Sequence, residues 1–174
     1  SVPSETVLDN LYIGIQKEIE KNDLSSAKVE DLLPLKVLGA PTEESKDLNI
    51  VKTVEGFDAT KTYTFKKVVF NVNDDAVKKF IAQDTLSLHT PEYSFVRLDI
   101  DIETSSTTEE TWISTPWIVS EYGFDLTDNE FGERPSTIAP GKHSFSFYYK
   151  VYTGAKILGF NGEDQFGKDY SIEF

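Results

Sequence analysis

With 174 residues, 39% of them hydrophobic and 13% aromatic, the chain is long enough for one domain, or one domain with a small appendage. It can bury a sizeable core without a disulfide staple. Its 17 Lys and Arg against 30 Asp and Glu give a net charge of −13, which opposes nucleic acid and anionic lipid as partners, since both depend on cationic surfaces.

In chain order, residues 4 to 21 read as a helix, with Ser4 as N-cap and Val7, Leu8, Leu11, Tyr12, Ile15 and Ile19 at helical spacing. A second short helix is predicted from Ser26 to Leu33, ending at Pro34. Residues 1–38 therefore read as an N-terminal helical segment. Residues 39–47 mix Gly, Pro and charge without periodicity, which is how an exposed linker reads.

From residue 48 to 174 the period changes to two. Val96, Leu98, Ile100 and Ile102 share one face of a strand, and Arg97, Asp99, Asp101 and Glu103 share a wet one. Phe145, Phe147, Tyr149 and Val151 likewise alternate with Ser144, Ser146, Tyr148 and Lys150. Between Thr62 and Val72 two alternations run out of phase, Tyr63 and Phe65 against Val68, Phe70 and Val72, and a β-bulge near Lys66 and Lys67 reconciles them. Further strands are predicted at 48–54, 85–88, 111–119, 122–127, 156–160 and 169–174. Short strands so spaced predict a mostly β chain: an immunoglobulin-like antiparallel β-sandwich carrying the N-terminal helical segment.

The chemistry-bearing residues are few. His89 and His143 lie in no spacing that makes a metal pair or a nucleophile–base couple, and there is no Cys nucleophile, phosphate-cradling Gly loop or Gly-x-Ser-x-Gly elbow. Asp99, Asp101 and Glu103 could form a carboxylate pair, but alternation alone predicts a solvated face beside Arg97. Asp125, Asp128 and Glu130 crowd oxygen side chains into one turn, as a hard cation requires. They lack the order of a helical calcium loop, so a hairpin with Asx turns is the preferred reading and no metal or cofactor is expected. Trp112, Trp117, Tyr122 and Phe124 cluster along two strands and read mainly as core. Tyr148 and Tyr152 fall on the polar face of theirs, and are the expected binding residues.

The stretches Tyr63 to Val68, Tyr93 to Ile100, Phe124 to Gly132, and Ala139-Pro140-Gly141 before Phe145 and Phe147 carry a resemblance covering about two thirds of the chain. The chain resembles a family of uncharacterised Gram-positive surface lipoproteins whose domain has the immunoglobulin-like fold of secreted mycobacterial immunoprotective antigens. It departs from that family where Thr104 to Glu110 replaces an Asn-rich strand ending. The resemblance implies export, anchoring at the cell surface through a lipid on an upstream segment, and no known catalysis.

The absence of Met implies a processed or excised start, and the absence of Cys fits a bacterial surface protein. No apolar run approaches the roughly 20 residues of a membrane span. The expected function is a non-enzymatic extracellular module recognising another surface or host protein, or a glycan. The alternative is a structural or assembly component, such as a phage or surface-layer part.

Overall fold

The computed structural model of the protein describes residues 42–83, 93–124 and 134–174. The helices expected at 4–21 and 26–33, the strand at 85–88, His89, and the turn with Asp125, Asp128 and Glu130 lie outside the described residues. The elements run β1 (Glu44–Val54), β2 (Lys61–Phe70), α1 (Asp75–Gln83), β3 (Tyr93–Thr104), β4 (Thr111–Trp112), β5 (Trp117–Ser120) and β6 (Gly123–Phe124). They continue with β7 (Thr137–Ile138), β8 (Lys142–Tyr152), β9 (Ile157–Glu163) and β10 (Asp169–Glu173). β1 starts inside the stretch read as linker, where Glu44 to Asp47 pair with β2. The single strand expected at 111–119 is two, β4 and β5.

Every strand pairing among the described residues is antiparallel. One sheet has the order β1-β2-β3-β8, a second β10-β9-β5-β6, and β4 pairs with β7 apart from both. Both four-stranded sheets contribute to one core. The alternation in β3 and β8 turns Leu98, Ile100, Ile102, Phe147 and Tyr149 inward, where they meet Ile118 of β5, Phe160 of β9 and Ile172 of β10. Each such side chain contributes about 1.5–3 kcal/mol when fully buried. Two buried tyrosines find polar partners on the segment entering β5: Tyr63 Oη lies 3.0 Å from the Ser114 amide, which donates to it, and Tyr149 Oη donates to the Pro116 carbonyl at 2.5 Å.

Two adjacent bulges explain the out-of-phase alternation in β2. In the β2–β3 ladder Phe65 faces Ile100 and Lys67 faces Asp99, so Lys66 is the extra residue. In the β1–β2 ladder the register shifts between Asp47 and Ile50, where Asn49 takes a positive φ of 53°. Phe65 and Val68 thereby both reach the core, while Lys66 and Lys67 both face outward. Val72 departs from the expected phase. After Asn71, at φ 54°, the chain turns and Val72 packs on the outer side of the sheet with Val69, Val77 and Phe95.

That outer cluster is covered by α1, a helix the strand-by-strand reading did not contain. Asp74 is its N-cap, accepting from the Val77 amide at 3.0 Å, and Val77, Phe80 and Ile81 recur at the spacing of one apolar face. Phe80 meets Phe95 edge to face with ring centroids 5.9 Å apart.

Candidate functional site

The outward face of the first sheet is built of cross-strand rows fixed by register. Asp47, Lys67, Asp99 and Ser146 form one row, and Ser45, Val69, Arg97 and Tyr148 the next. The first row, with Arg97 of the second and Asn49, Lys66, Ser144 and Phe145, lines a groove of about 600 Å³. Three of its charged groups, Arg97, Asp99 and Lys66, are held in ion pairs. Arg97 donates to both oxygens of Asp99, at 3.0 and 3.2 Å, and to Asp74 Oδ2 at 3.0 Å. Lys66, brought outward by the bulge, reaches Asp101 at 2.7 Å, with Ser144 and Lys142 also on that carboxylate.

Asp101 is therefore not on a wet face, as alternation predicted: it is 9% exposed beneath its lysine partners. Burial opposes its ionisation, but Lys66, Ser144 and Lys142 outweigh that and hold its pKa below the usual carboxylate value. The same holds for Asp74, where burial is outweighed by the Val77 amide, the Tyr148 hydroxyl and Arg97. Carboxylates held ionised in this way are poor proton donors near neutrality.

The two tyrosines expected to bind together are separated by the fold. Tyr148 lies half-buried against the α1 cluster, and its hydroxyl donates to Asp74 Oδ2 at 2.7 Å. Burial first, then the Asp74 charge, pushes its pKa up to about 12. Tyr148 is thus only partly exposed, and its hydroxyl is engaged within the fold. Tyr152, four residues and about 13 Å further along the same strand face, lies outside the α1 cluster and is 37% exposed.

Tyr152 does not stand alone. It stacks on Tyr93, its register partner on β3, with centroids 5.4 Å apart, and meets Tyr122 edge to face at 6.1 Å. Lys150 Nζ lies 4.6 Å from the Tyr93 ring centroid. Tyr122 is 61% exposed and comes from the β5–β6 turn of the other sheet. That turn is tied to the β8–β9 turn by the Glu121 amide donating to the Lys156 carbonyl and the Lys156 amide donating to Glu121 Oε1, both at 2.9 Å. Thirty residues separate Tyr122 from Tyr152, so no periodicity in the sequence joins them. The exposure of Tyr122 sets it apart from the core reading given to its cluster.

His143 Nε2 donates to the Ala139 carbonyl at 2.8 Å, and no carboxylate or nucleophile pairs with it among the described residues. No group of three His, Cys, Asp or Glu able to hold a metal exists among the described residues, and no helix among them is long and apolar enough to cross a membrane. Compared with models of protein families, with curated proteins and with solved structures, the chain matches none.

Proposed function

We propose that this chain is a non-enzymatic recognition domain displayed outside a bacterial cell, binding a protein partner through Tyr122 and Tyr152. The observation that carries the reading is this exposed pair, drawn from two sheets and already packed ring to ring with Tyr93. Aromatic rings ordered before binding bury much area at little entropic cost, which is the property of interface anchors. The hydroxyl rims allow such a patch to stay in water when unoccupied.

An immunoglobulin-like sandwich is the architecture this reading takes. Strands β2, β3 and β8 run side by side as the A, B and E strands of that fold do, and β10, β9 and β5 as its G, F and C strands. In that assignment Tyr122 and Tyr152 lie at one end of the sandwich, where such domains present their loops. Export and an upstream lipid anchor rest on the sequence resemblance and on the lack of thiols.

The test is photo-crosslinking from benzoylphenylalanine placed at position 122 on intact cells that make the protein. Discrete protein adducts from position 122, absent from position 51 on the exposed face of β1 and lost in Tyr152→Ala, are the expected result. Adducts of equal yield from both positions, or none, would refute it.

A further inference from the structure

Two phenylalanines stand in solvent at the other end of the first sheet. Phe57 is 77% exposed and Phe166 is 60% exposed, with their rings edge to face at 4.6 Å. Register places them: Lys61, just after Phe57, pairs with Thr104 at one end of β3, whereas Tyr152 pairs with Tyr93 at the other. The 11 residues of β8 separate the two ends by about 35 Å at roughly 3.3 Å per residue.

The loops that hold this pair are knitted together by polar groups. Gln165 donates its amide to the Glu55 carbonyl at 3.1 Å and accepts from the Phe57 amide through Oε1 at 2.8 Å. Asp164, 7% exposed, accepts from the amides of Phe166 and Lys168. Asp58 accepts from the amides of Ala59 and Trp112 and from Lys61 Nζ, a lysine fully removed from solvent that also lies over the Trp112 ring at 5.6 Å. Gly56 passes so close to Lys61 Nζ and Gln165 Oε1 that a Cβ there would displace them. Two large apolar rings are thus fixed in water by a network whose cost in ordering is met before any partner arrives.

The rim selects the occupant. Glu55, Asp58, Glu109, Glu110, Glu163 and Asp169 are exposed on or beside the loops at 55–60, 105–110 and 163–169, and Lys168 is the one exposed lysine on them among the described residues. Acids repel anionic lipid, and a second copy would bring its own −13 against them. A cation is attracted by the carboxylates and by the faces of the two rings together. We propose that Phe57 and Phe166 form a second docking site, for a basic protein segment carrying a bulky apolar side chain. With the tyrosine patch at the far end, the domain then bridges two partners.

A phage-displayed library of random 12-residue peptides, panned on the intact chain and counter-selected on Phe57→Ala/Phe166→Ala, tests this. Both side chains are exposed, so the double variant keeps the wild-type thermal midpoint to within about 3 °C. Enriched peptides should pair Lys or Arg with Leu, Phe or Trp. One of them, made synthetically, should bind the wild type at least tenfold tighter than the double variant and be indifferent to Tyr152→Ala. The proposal is overturned by acidic or uncharged winners, by no enrichment, or by equal binding to the double variant. It is equally overturned by Phe57-dependent self-association or binding to phosphatidylcholine vesicles.

Discussion

The Tyr148 hydroxyl donates to Asp74 Oδ2 at 2.7 Å, and this one bond decides which of the two outward tyrosines of β8 belongs to the fold. Asp74 uses its other oxygen to cap α1 and also receives Arg97, so the carboxylate links a helix start to two strands. Tyr148→Phe should cost about 1–2 kcal/mol, and Asp74→Ala, which also removes the cap and strands Arg97, about 3 kcal/mol. Urea unfolding of both variants checks the order. Equal costs would mean that the cap and Arg97 contribute nothing.

The pH dependence follows from the same groups. Asp58, Asp74 and Asp101 all have folded-state pKa values below the ordinary 3.8, so their stabilisation is complete above about pH 4 and is lost as pH falls through the lower folded values. Tyr148 is raised from 10.0 to about 12, so its contribution is complete below about pH 10 and disappears as pH rises through 12. Alkaline absorbance titration should show a phenolate forming near pH 12 in the wild type that Tyr148→Phe lacks. Acid unfolding of Asp74→Asn should be shallower than that of the wild type.

The bulge at Lys66 makes a separate prediction. Deleting Lys66 makes the β2–β3 ladder regular and leaves Tyr63, Phe65 and Val68 on the core face, because Phe65 and Lys67 then oppose the consecutive Ile100 and Asp99. The deletion should therefore keep a cooperative folding transition but lower its midpoint, since the register shift between Asp47 and Ile50 in β1 loses its counterpart, whereas Lys66→Ala, which loses only a part-exposed pair with Asp101, should cost no more than about 1 kcal/mol. Thermal melts followed by near-ultraviolet circular dichroism distinguish them.

At Gly159 of β9 the β10 backbone occupies the space a side chain would need. A Cβ at this position would overlap the Ile172 carbonyl oxygen, and the residue also sits at φ 157°. Gly159→Ala should cost about 3 kcal/mol or more, while Gly154→Ala, at φ 80° in an open turn, suffers only backbone strain of about 1 kcal/mol. A smaller loss at 159 than at 154 would show that β10 moves away freely.

Strand alternation was legible where one face is wholly apolar. Leu98, Ile100 and Ile102, and Phe147 and Tyr149, lie inward as their period of two requires, and the phase conflict around Lys66 located a bulge. The same logic misread the outward face, because period alone cannot say what covers it. Asp101 lies under two lysines from other strands, and Tyr148 under a helix. That helix was announced by Asp74 followed by Val77, Phe80 and Ile81, a cap and apolar spacing short enough to be passed over between strong strands. Tyr152 was legible as exposed, but Tyr122 and the Phe57–Phe166 pair were not, since each joins residues far apart in sequence through loop hydrogen bonds.

The central claim is that β8 gives Tyr148 to the fold and Tyr152 to recognition. It is tested most directly by calorimetric titration of the protein captured from position 122 against wild type, Tyr148→Phe and Tyr152→Ala. The account predicts that Tyr152→Ala weakens binding at least tenfold, about 1.4 kcal/mol, while Tyr148→Phe binds as the wild type does. Wild-type affinity in Tyr152→Ala, or an equal loss in Tyr148→Phe, would contradict it.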